Sequence, residues 1–308
     1  MAPMTSPTGI DLGGDPKRLR RERVVRGAFW GAALFSVLLS ALIILSLAEE
    51  AWRFMSTVEW SALWSIGWFP RRGLFDLRTI IVATLLVAGI AMLVAAPLGL
   101  GAAVYLSEYA SPRMRRILKP MLEILAGIPS VVLGYFALTW ISPNLIQPIF
   151  NSDIFNMLSA GIGVGILTTP LVASVAEDSL RAVPQALREA SYGLGARKSA
   201  TVRKVVLPAA VSGIMAAMIL GISRAIGETM VVAMAAGATG GGLLTLNPIE
   251  PGITMTAAMA SLAIGTDQVA GAGNAFQSLF FVGLLLFAMT LLLNIVSDRF
   301  VQRVREKY

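Results

Sequence analysis

Six long apolar runs constrain this 308-residue sequence more than any other feature. A helix needs about 20 apolar residues to cross the hydrocarbon core of a bilayer, and each run is long enough. With 56% hydrophobic and only 14% charged residues, the chain is too apolar for an ordinary soluble protein. We therefore predict an all-α polytopic membrane protein with about six transmembrane helices, near residues 27–48, 79–106, 117–141, 154–176, 208–237 and 276–296.

The distribution of Lys and Arg predicts how these helices are oriented. Cytoplasmic loops of membrane proteins carry an excess of basic residues. Here six basic residues precede the first run, four lie in 113–119, six in 181–204 and four after residue 296, whereas 142–153 and 237–275 contain none. This pattern predicts a bacterial inner or plasma membrane protein with both termini in the cytoplasm. It also explains the net charge of +7 without nucleic-acid binding.

The composition along the chain predicts three segments. Residues 1–26 begin with an aperiodic stretch rich in Gly, Pro, Ser and Thr, so we expect a cytosolic basic tail that is largely disordered. Residues 27–78 should form the first transmembrane helix and an external loop, peripheral to the core. Residues 79–308 should form the transmembrane domain, with a cytosolic loop at 178–207. The partly apolar external loop 237–275 is compatible with a short interfacial or re-entrant helix.

Most residues that carry enzyme chemistry are missing from the sequence. It contains no Cys and no His, which excludes disulfides, thiolate nucleophiles, Cys/His metal sites and imidazole catalysis. Beyond Glu228, Glu108 and Glu123, no carboxylates are placed as a catalytic pair near the membrane. No GxxxxGK[ST] phosphate loop is present either. We expect a chain that is not an enzyme and binds no cofactor or metal itself.

Glycine and proline mark two apolar runs. The GxGxG pattern at 161–165 lies in an apolar helix with no preceding strand, which favours close helix packing over nucleotide binding. In the third run, Gly127, Pro129 and Ser130 are compatible with a helix opened along a translocation path. Ordinary packing is the alternative at these positions.

The loop between the fourth and fifth runs has an unusual sequence, PQALREASYGLGARKSATVRKVVLPAA. It is polar and compatible with helix, and Pro184 is placed to start a helix that Gly193 and Gly195 stop. We predict a helix, a tight turn and a second helix. The loop resembles the cytosolic loop of ABC importer permeases, whose pattern is Glu-Ala-Ala, three residues, Gly, nine residues, Ile, any residue, Leu-Pro.

The resemblance assigns a role to this loop. In that family the loop docks into a separate ATPase subunit, so ATP and Mg would be used by the partner. The resemblance implies that Arg188 and the matching positions couple this chain to the ATPase. With two conservative departures, the matching positions are Glu189, Ala190, Ser191, Gly195, Val205, Leu207 and Pro208.

Two charged residues interrupt the fifth apolar run. Arg224 and Glu228 are four residues apart in SRAIGETMVVAMAAG, which predicts that both lie on one helical face within the bilayer. A charge at that depth costs several kcal/mol and often marks a substrate path. An arginine there indicates an anionic substrate, and a purely structural ion pair is the alternative.

The same run is similar to a known transporter family. Arg-Ala-Ile-Gly-Glu-Thr resembles the signature of phosphate-specific ABC permeases, and Met-Val-Val-Ala-Met is closer to their C-type than to their A-type subunit. PLGLGAAVYLSEYA and LEILAGIPSVVLGYFAL extend the similarity. The resemblance implies a type I importer permease (MetI-like) fold that transports phosphate by alternating access. We expect Glu228 to accept a hydrogen bond from a protonated phosphate oxygen, which sulfate lacks. The implied substrate-pathway residues are Arg224, Glu228, Ser223, Thr229 and Ser130.

The resemblance also implies partners. One such subunit is half of the usual importer pathway, so we expect a second, PstA-like permease or, less consistently with the C-type likeness, a second copy of this chain. Two PstB-like ATPase subunits and an external PstS-like phosphate-binding protein complete the expected complex in the lipid bilayer. The alternatives are an ABC permease for another oxyanion, molybdate or sulfate, and a membrane-embedded enzyme. A channel would need no coupling loop.

Overall fold

The structure is a computed structural model that describes residues 16–237, 241–264 and 274–304. It divides into two units, Met1–Glu49 and Glu50–Tyr308. The first unit contains most of helix α1 (Pro16–Thr57). Large apolar side chains of this helix, among them Trp30 and Phe35, are exposed. Such exposure fits a helix that lipid surrounds.

Helix α1 begins earlier than the sequence indicates. The sequence predicts a disordered tail over residues 1–26. Residues 1–15 lie outside the described part of the chain. From Pro16 onward the structure is helical, so the prediction is wrong for residues 16–26. Proline is favoured at the first helical position, and the Lys, Arg, Leu and Glu residues that follow are strong helix formers. Because this basic run continues directly into an apolar helix, it extends that helix without a new nucleation step.

Three further long helices agree with the second, fourth and sixth predicted runs. Two of them begin at polar caps: Asp76 Oδ2 accepts the N–H of Thr79 at 3.3 Å, and Asn156 Oδ1 accepts that of Ser159 at 2.7 Å. Each is long and apolar enough to cross a membrane. The three helices are α2 (Leu77–Val104, continued by a π-helical turn over Tyr105–Tyr109), α6 (Met157–Arg181) and α13 (Ala275–Val304).

The third predicted helix, 117–141, is wrong in its extent. The chain bends by 87° between Ala126 and Ser130, because Gly127 ends the first helix and a residue before proline, here Ile128, disfavours the helical region. The helix before the bend has no buried residue, and the two parts are long and apolar enough to cross a membrane only when they are taken together. The elements are α3 (Pro112–Ala126), α4 (Ser130–Phe136), a π-helical stretch (Ala137–Ile146) and α5 (Gln147–Phe150).

The fifth predicted helix, 208–237, is broken twice. It bends by 70° near Ala210 and stops again at Gly227. If each bent pair counts as one span, the described residues contain up to six spans, which agrees with the prediction of about six. The elements are α7 (Gln185–Gly193), α8 (Lys198–Thr201), a π-helical turn (Val202–Val206), α9 (Leu207–Ala209), α10 (Val211–Ile226), α11 (Met230–Val232) and a second π-helical turn (Ala233–Gly237).

The GxGxG pattern forms a close seam between α6 and α2. A Cβ atom on Gly161 would lie 2.6 Å from Ile90 Cγ2, and one on Gly165 would lie 2.7 Å from Val94 Cβ. Real Cβ atoms do not approach other carbons so closely, so only glycine lets the two helices pack at this separation. The prediction of helix packing at these positions is confirmed.

A small antiparallel sheet follows α1. β1 (Gly67–Phe69) pairs with β2 (Leu74–Phe75) and β3 (Gly242–Leu243), so that Trp68 lies opposite Phe75 and Gly242. Trp68, Phe75 and Phe54 are buried in the main apolar core. Residues 50–78 therefore belong to the compact second unit and are not peripheral as predicted, because these aromatic side chains bury their area only against the helical core.

The loop after α11 contains the expected short helix, α12 (Met255–Ile264). Residues 238–240 and 265–273 lie outside the described part of this loop. The Met255 N–H donates to Thr84 Oγ1 on α2 at 2.9 Å, which fastens the start of α12 to the helical core. Nearby, Thr245 and Asn247 donate hydrogen bonds to the exposed Glu250 carboxylate and lower its pKa from the ordinary value.

The close seam between α6 and α2 predicts that leucine substitutions at different glycines have different effects on stability. Gly161→Leu and Gly165→Leu should each destabilise the protein by about 1–3 kcal/mol, because the added side chain overlaps α2. Gly89→Leu is the matched control, since Gly89 lies on α2, is exposed and has open space where its Cβ would be. The yield of folded protein in mild detergent and its unfolding in SDS mixtures measure the effect. Equal behaviour of all three variants would contradict the seam.

Candidate functional site

A cavity of about 460 Å³ lies between α3, α6 and α10. Arg224, in the last turn of α10, is exposed and reaches into its wall. Within the described residues the Arg224 guanidinium forms no ion pair or hydrogen bond. The cavity thus offers an unpaired cation with five N–H donors, the kind of group that binds oxyanions. The other lining residues are Leu106, Lys119, Leu122, Glu123, Ala126, Leu167, Pro170, Leu171, Ser174 and Glu177.

Glu228 does not share a helical face with Arg224, so that prediction is wrong. Helix α10 ends at Ile226, and Glu228 lies in the break that follows, only 7% exposed. Its Oε1 accepts the N–H groups of Met230 and Val231 at 3.2 and 3.4 Å. The Glu228 carboxylate therefore binds the backbone at the start of the next helical segment, and no ion pair joins it to Arg224 within the described residues.

Thr256 completes the connection of this break to α12. Its hydroxyl donates to the Glu228 carbonyl oxygen at 2.7 Å, and Thr254 Oγ1 lies 3.1 Å from Thr256 Oγ1. Thr254 and Thr256 are both buried. Backbone groups freed by the interruption of the helix thus have internal partners, as a break at membrane depth requires.

The other three predicted pathway residues lie elsewhere. Ser223 donates a hydrogen bond to Asn294 Oδ1 on α13 at 3.0 Å, and Thr229 donates to the Gly227 carbonyl at 3.4 Å. Ser130 is half-buried and is the first residue of α4. None of the three lines the cavity. Of the five predicted pathway residues, the structure brings only Arg224 to it.

The prediction missed three charged residues of the cavity wall: Lys119, Glu123 and Glu177. Because the sequence predicts 117–141 as one apolar span, Lys119 is counted there only as a basic residue of the loop 113–119, and Glu123 only as a carboxylate near the membrane. The helical spacing of Arg115, Lys119, Leu122 and Ala126 was the signal that could have placed them on one face of α3. Within the described residues, no group of His, Cys, Asp or Glu side chains is placed to hold a metal ion.

Glu177 is the centre of an ion cluster beside the cavity. Its side chain is 1% exposed and accepts hydrogen bonds from Arg115 and from Lys119 Nζ, the latter at 3.0 Å. Arg181 Nη1 lies 3.9 Å from the same carboxylate, one turn along α6. A buried carboxylate needs such partners, so the cluster ties the amphipathic helix α3 to α6.

The predicted helix, turn and helix of the polar loop are confirmed. Pro184 precedes α7, and Gly195, the residue after the C-cap Leu194, adopts a left-handed backbone with φ of +79°. Ser191 Oγ lies 2.9 Å from Thr201 Oγ1 and joins α7 to the helical segment that follows. The loop presents Glu189, Ala190, Tyr192 and Leu194 on its exposed surface, whereas Leu207 is half-buried and Pro208 exposed at the start of α9.

Arg188 points into the protein. Its guanidinium donates to Glu108 Oε1 and to the Leu180 carbonyl, both at 2.8 Å, and to the Val183 carbonyl at 2.6 Å. These acceptors belong to the turn after α2 and to the end of α6. Arg188 therefore fixes α7 to two helices of the core, which sequence spacing alone did not indicate.

We expect the Arg188–Glu108 pair to hold α7 in place. Arg188→Ala should cost about 3 kcal/mol, since it leaves Glu108, 6% exposed, without its cation. Glu108→Ala should also destabilise, and the double variant should lose much less than the sum, because contacting residues are not additive. Unfolding in SDS mixtures gives the four values. Arg197→Ala, an exposed change in the same loop, is the control; additive losses would show that the two side chains act independently.

Comparisons with known proteins agree with this architecture. The family model described as "Binding-protein-dependent transport system inner membrane component" matches residues 95–306. The phosphate transport system permease protein PstC of Mesorhizobium japonicum is 31% identical over 293 residues, covering 89% of this chain and 88% of its own. PstC 1 of Mycobacterium tuberculosis is 34% identical over 246 residues, covering 73% of this chain and 72% of its own.

Solved transporters share the fold at low sequence identity. A bacterial alginate ABC transporter in complex with a pentasaccharide-bound periplasmic protein has a chain with a TM-score of 0.65 and 13% identity, covering 94% of this chain and 98% of its own. The MetNI methionine ABC transporter gives 0.54 and 20%, covering 74% of this chain and 94% of its own. The predicted all-α, MetI-like permease fold is confirmed, and the homologues are membrane subunits of transporters, not enzymes. The chain therefore belongs to the family of inner-membrane components of binding-protein-dependent transport systems.

Proposed function

We propose that this chain is the C-type permease subunit of an ATP-driven importer of inorganic phosphate. The similarity to PstC proteins over 89% of the chain supports the substrate, and the unpaired Arg224 in the cavity wall is the structural observation that carries it. Both termini would lie in the cytoplasm, since Lys and Arg are concentrated in the α7 loop and near the two termini.

Arg224 would bind the phosphate as it passes. A guanidinium can donate two parallel N–H bonds to one phosphate, and this charge-assisted contact is stronger than a neutral hydrogen bond. Arg224 lies three residues before Gly227, where α10 stops. Discontinuous transmembrane helices commonly form substrate sites in transporters, because their ends present unpaired groups to a cavity.

The α7 loop would connect this chain to its motor. Its exposed residues Glu189, Ala190 and Leu194, the last 89% exposed, form a projection suited to a cleft on an ATPase subunit. Arg188 would pass movement of α7 to the ends of α2 and α6 through its bonds to Glu108 and Leu180. We propose that ATP and Mg bind to the ATPase and that this chain itself holds no cofactor.

The proposed complex contains four kinds of subunit. Beside this chain we place a PstA-like permease, two PstB-like ATPases and a PstS-like external phosphate-binding protein. ATP-driven closure of the ATPases would expose the Arg224 cavity to each side of the membrane in turn. An arginine also suits sulfate or molybdate, so an importer for another oxyanion is the alternative that the experiment must separate.

Uptake of labelled phosphate into vesicles carrying the whole complex tests the proposal. Arg224→Gln should lower ATP-dependent uptake at least about tenfold, because it removes a charge-assisted contact, while complex assembly and basal ATP hydrolysis persist. Arg113→Gln, an exposed change on α3 outside the cavity, is the control and should transport normally. Unchanged uptake in Arg224→Gln would reject the site, and stronger competition by sulfate or molybdate than by phosphate would reject the substrate.

A further inference from the structure

Three carboxylates are candidates for a role with Arg224: Glu228, four residues along the chain, and Glu177 and Glu123, which line the same cavity. Glu228 binds the backbone N–H groups of Met230 and Val231 and does not line the cavity. Glu177 lines it, but its oxygens accept hydrogen bonds from Arg115 and Lys119. Glu228 is thus outside the cavity wall, and both oxygens of Glu177 are engaged by basic side chains.

Glu123 is the third carboxylate and differs from both. It lies near the end of α3, is exposed and lines the same cavity wall as Arg224. Within the described residues its side chain forms no ion pair and no hydrogen bond. The other basic residue in the same wall besides Arg224, Lys119, contacts Glu177 at 3.0 Å and Asp178 at 3.4 Å. The Glu123 carboxylate therefore remains available as a charged hydrogen-bond acceptor in the cavity wall.

An unpaired carboxylate and an unpaired guanidinium in the wall of one cavity suit a protonated oxyanion. At neutral pH inorganic phosphate carries at least one P–OH group, whereas sulfate carries none. A carboxylate can accept a hydrogen bond only from the anion that has this proton, and it repels an oxygen that lacks it. A site that offers a hydrogen-bond acceptor to a substrate hydroxyl discriminates against an analogue that lacks this hydroxyl, because the acceptor is then left without its partner.

Resting on the proposed function, we propose that Glu123 is the residue that distinguishes phosphate from sulfate in this cavity. Arg224 binds deprotonated oxygens of the substrate, and Glu123 accepts the hydrogen bond of its P–OH group. Glu123 thus takes the role that the sequence predicted for Glu228. Glu228 instead accepts backbone N–H groups at the break after α10 and does not line the cavity. No covalent bond changes, and the proton stays on the phosphate.

The absence of cysteine from the sequence allows a direct test at the cavity. Ser174 lines the wall, so Ser174→Cys introduces the single thiol of this chain there. The complex is placed in lipid nanodiscs, a charged thiol reagent is added, and the intact mass of this chain gives the modification rate. With Glu123 present, inorganic phosphate should slow modification about tenfold and sulfate by less than about twofold.

Replacing Glu123 should remove the discrimination. In the Glu123→Gln background we expect phosphate and sulfate to protect the thiol to within about twofold of each other, because a neutral amide neither repels sulfate nor requires a proton. Glu123→Asp, which keeps the charge, should retain a preference for phosphate. Asp178→Asn is the matched control, since Asp178 is an exposed carboxylate close to the cavity wall, in contact with Lys119, but does not itself line the cavity.

The outcomes separate the inference from the proposed function. An unchanged phosphate-to-sulfate protection ratio in Glu123→Gln, in a complex that still imports phosphate, would overturn the role of Glu123 alone. Loss of discrimination in Asp178→Asn as well would attribute the effect to net charge and would also overturn it. Failure of the unaltered complex to import phosphate in vesicles would overturn the proposed function together with this inference.

Discussion

A transmembrane helix interrupted between Gly227 and Met230 needs partners for the backbone groups that the interruption releases, because lipid offers none. Glu228 supplies them on one side by accepting two N–H groups, and Thr256 supplies one on the other by donating to the Glu228 carbonyl. The position of α12 follows from this requirement. So does the end of α10, where Arg224 is left facing the cavity.

Helix α6 contacts α2 near its start and α3 near its end. Near its start, Gly161 and Gly165 bring it against α2, and near its end Glu177 binds basic residues of α3. The carbonyl of Leu180 in its last turn and that of Val183 just beyond it accept hydrogen bonds from Arg188 of α7. A continuous helix of 25 residues therefore joins the α7 contact to the cavity wall.

Charged residues in this protein fall into two groups by whether they have internal partners. Glu108 with Arg188, and Glu177 with Arg115 and Lys119, are paired inside the protein. A buried charge without a partner is costly, so these residues fix the arrangement of helices. Arg224 and Glu123 lack internal partners within the described residues and share one cavity. Unpaired charges of opposite sign in a common wall are available to a substrate that offers both an acceptor and a donor.

The sequence by itself determined the features that depend on neighbouring residues. Apolar runs of sufficient length and the alternation of basic loops predicted the membrane fold, and Pro184 with Gly195 predicted the ends of α7, because helix signals act within a few residues. Arg224 was identified from its motif. The tertiary structure alone decided that Glu228 binds the helix break, that Arg188 points inward and that Glu123 lines the wall with Arg224. Arg188 pairs with a residue 80 positions away, Glu123 and Arg224 come from different helices of one cavity wall, and the Glu228 contact exists because α10 stops at Ile226. Apolar composition reveals neither this stop nor the 87° bend before α4, since hydropathy records how apolar a segment is and not where its chain turns.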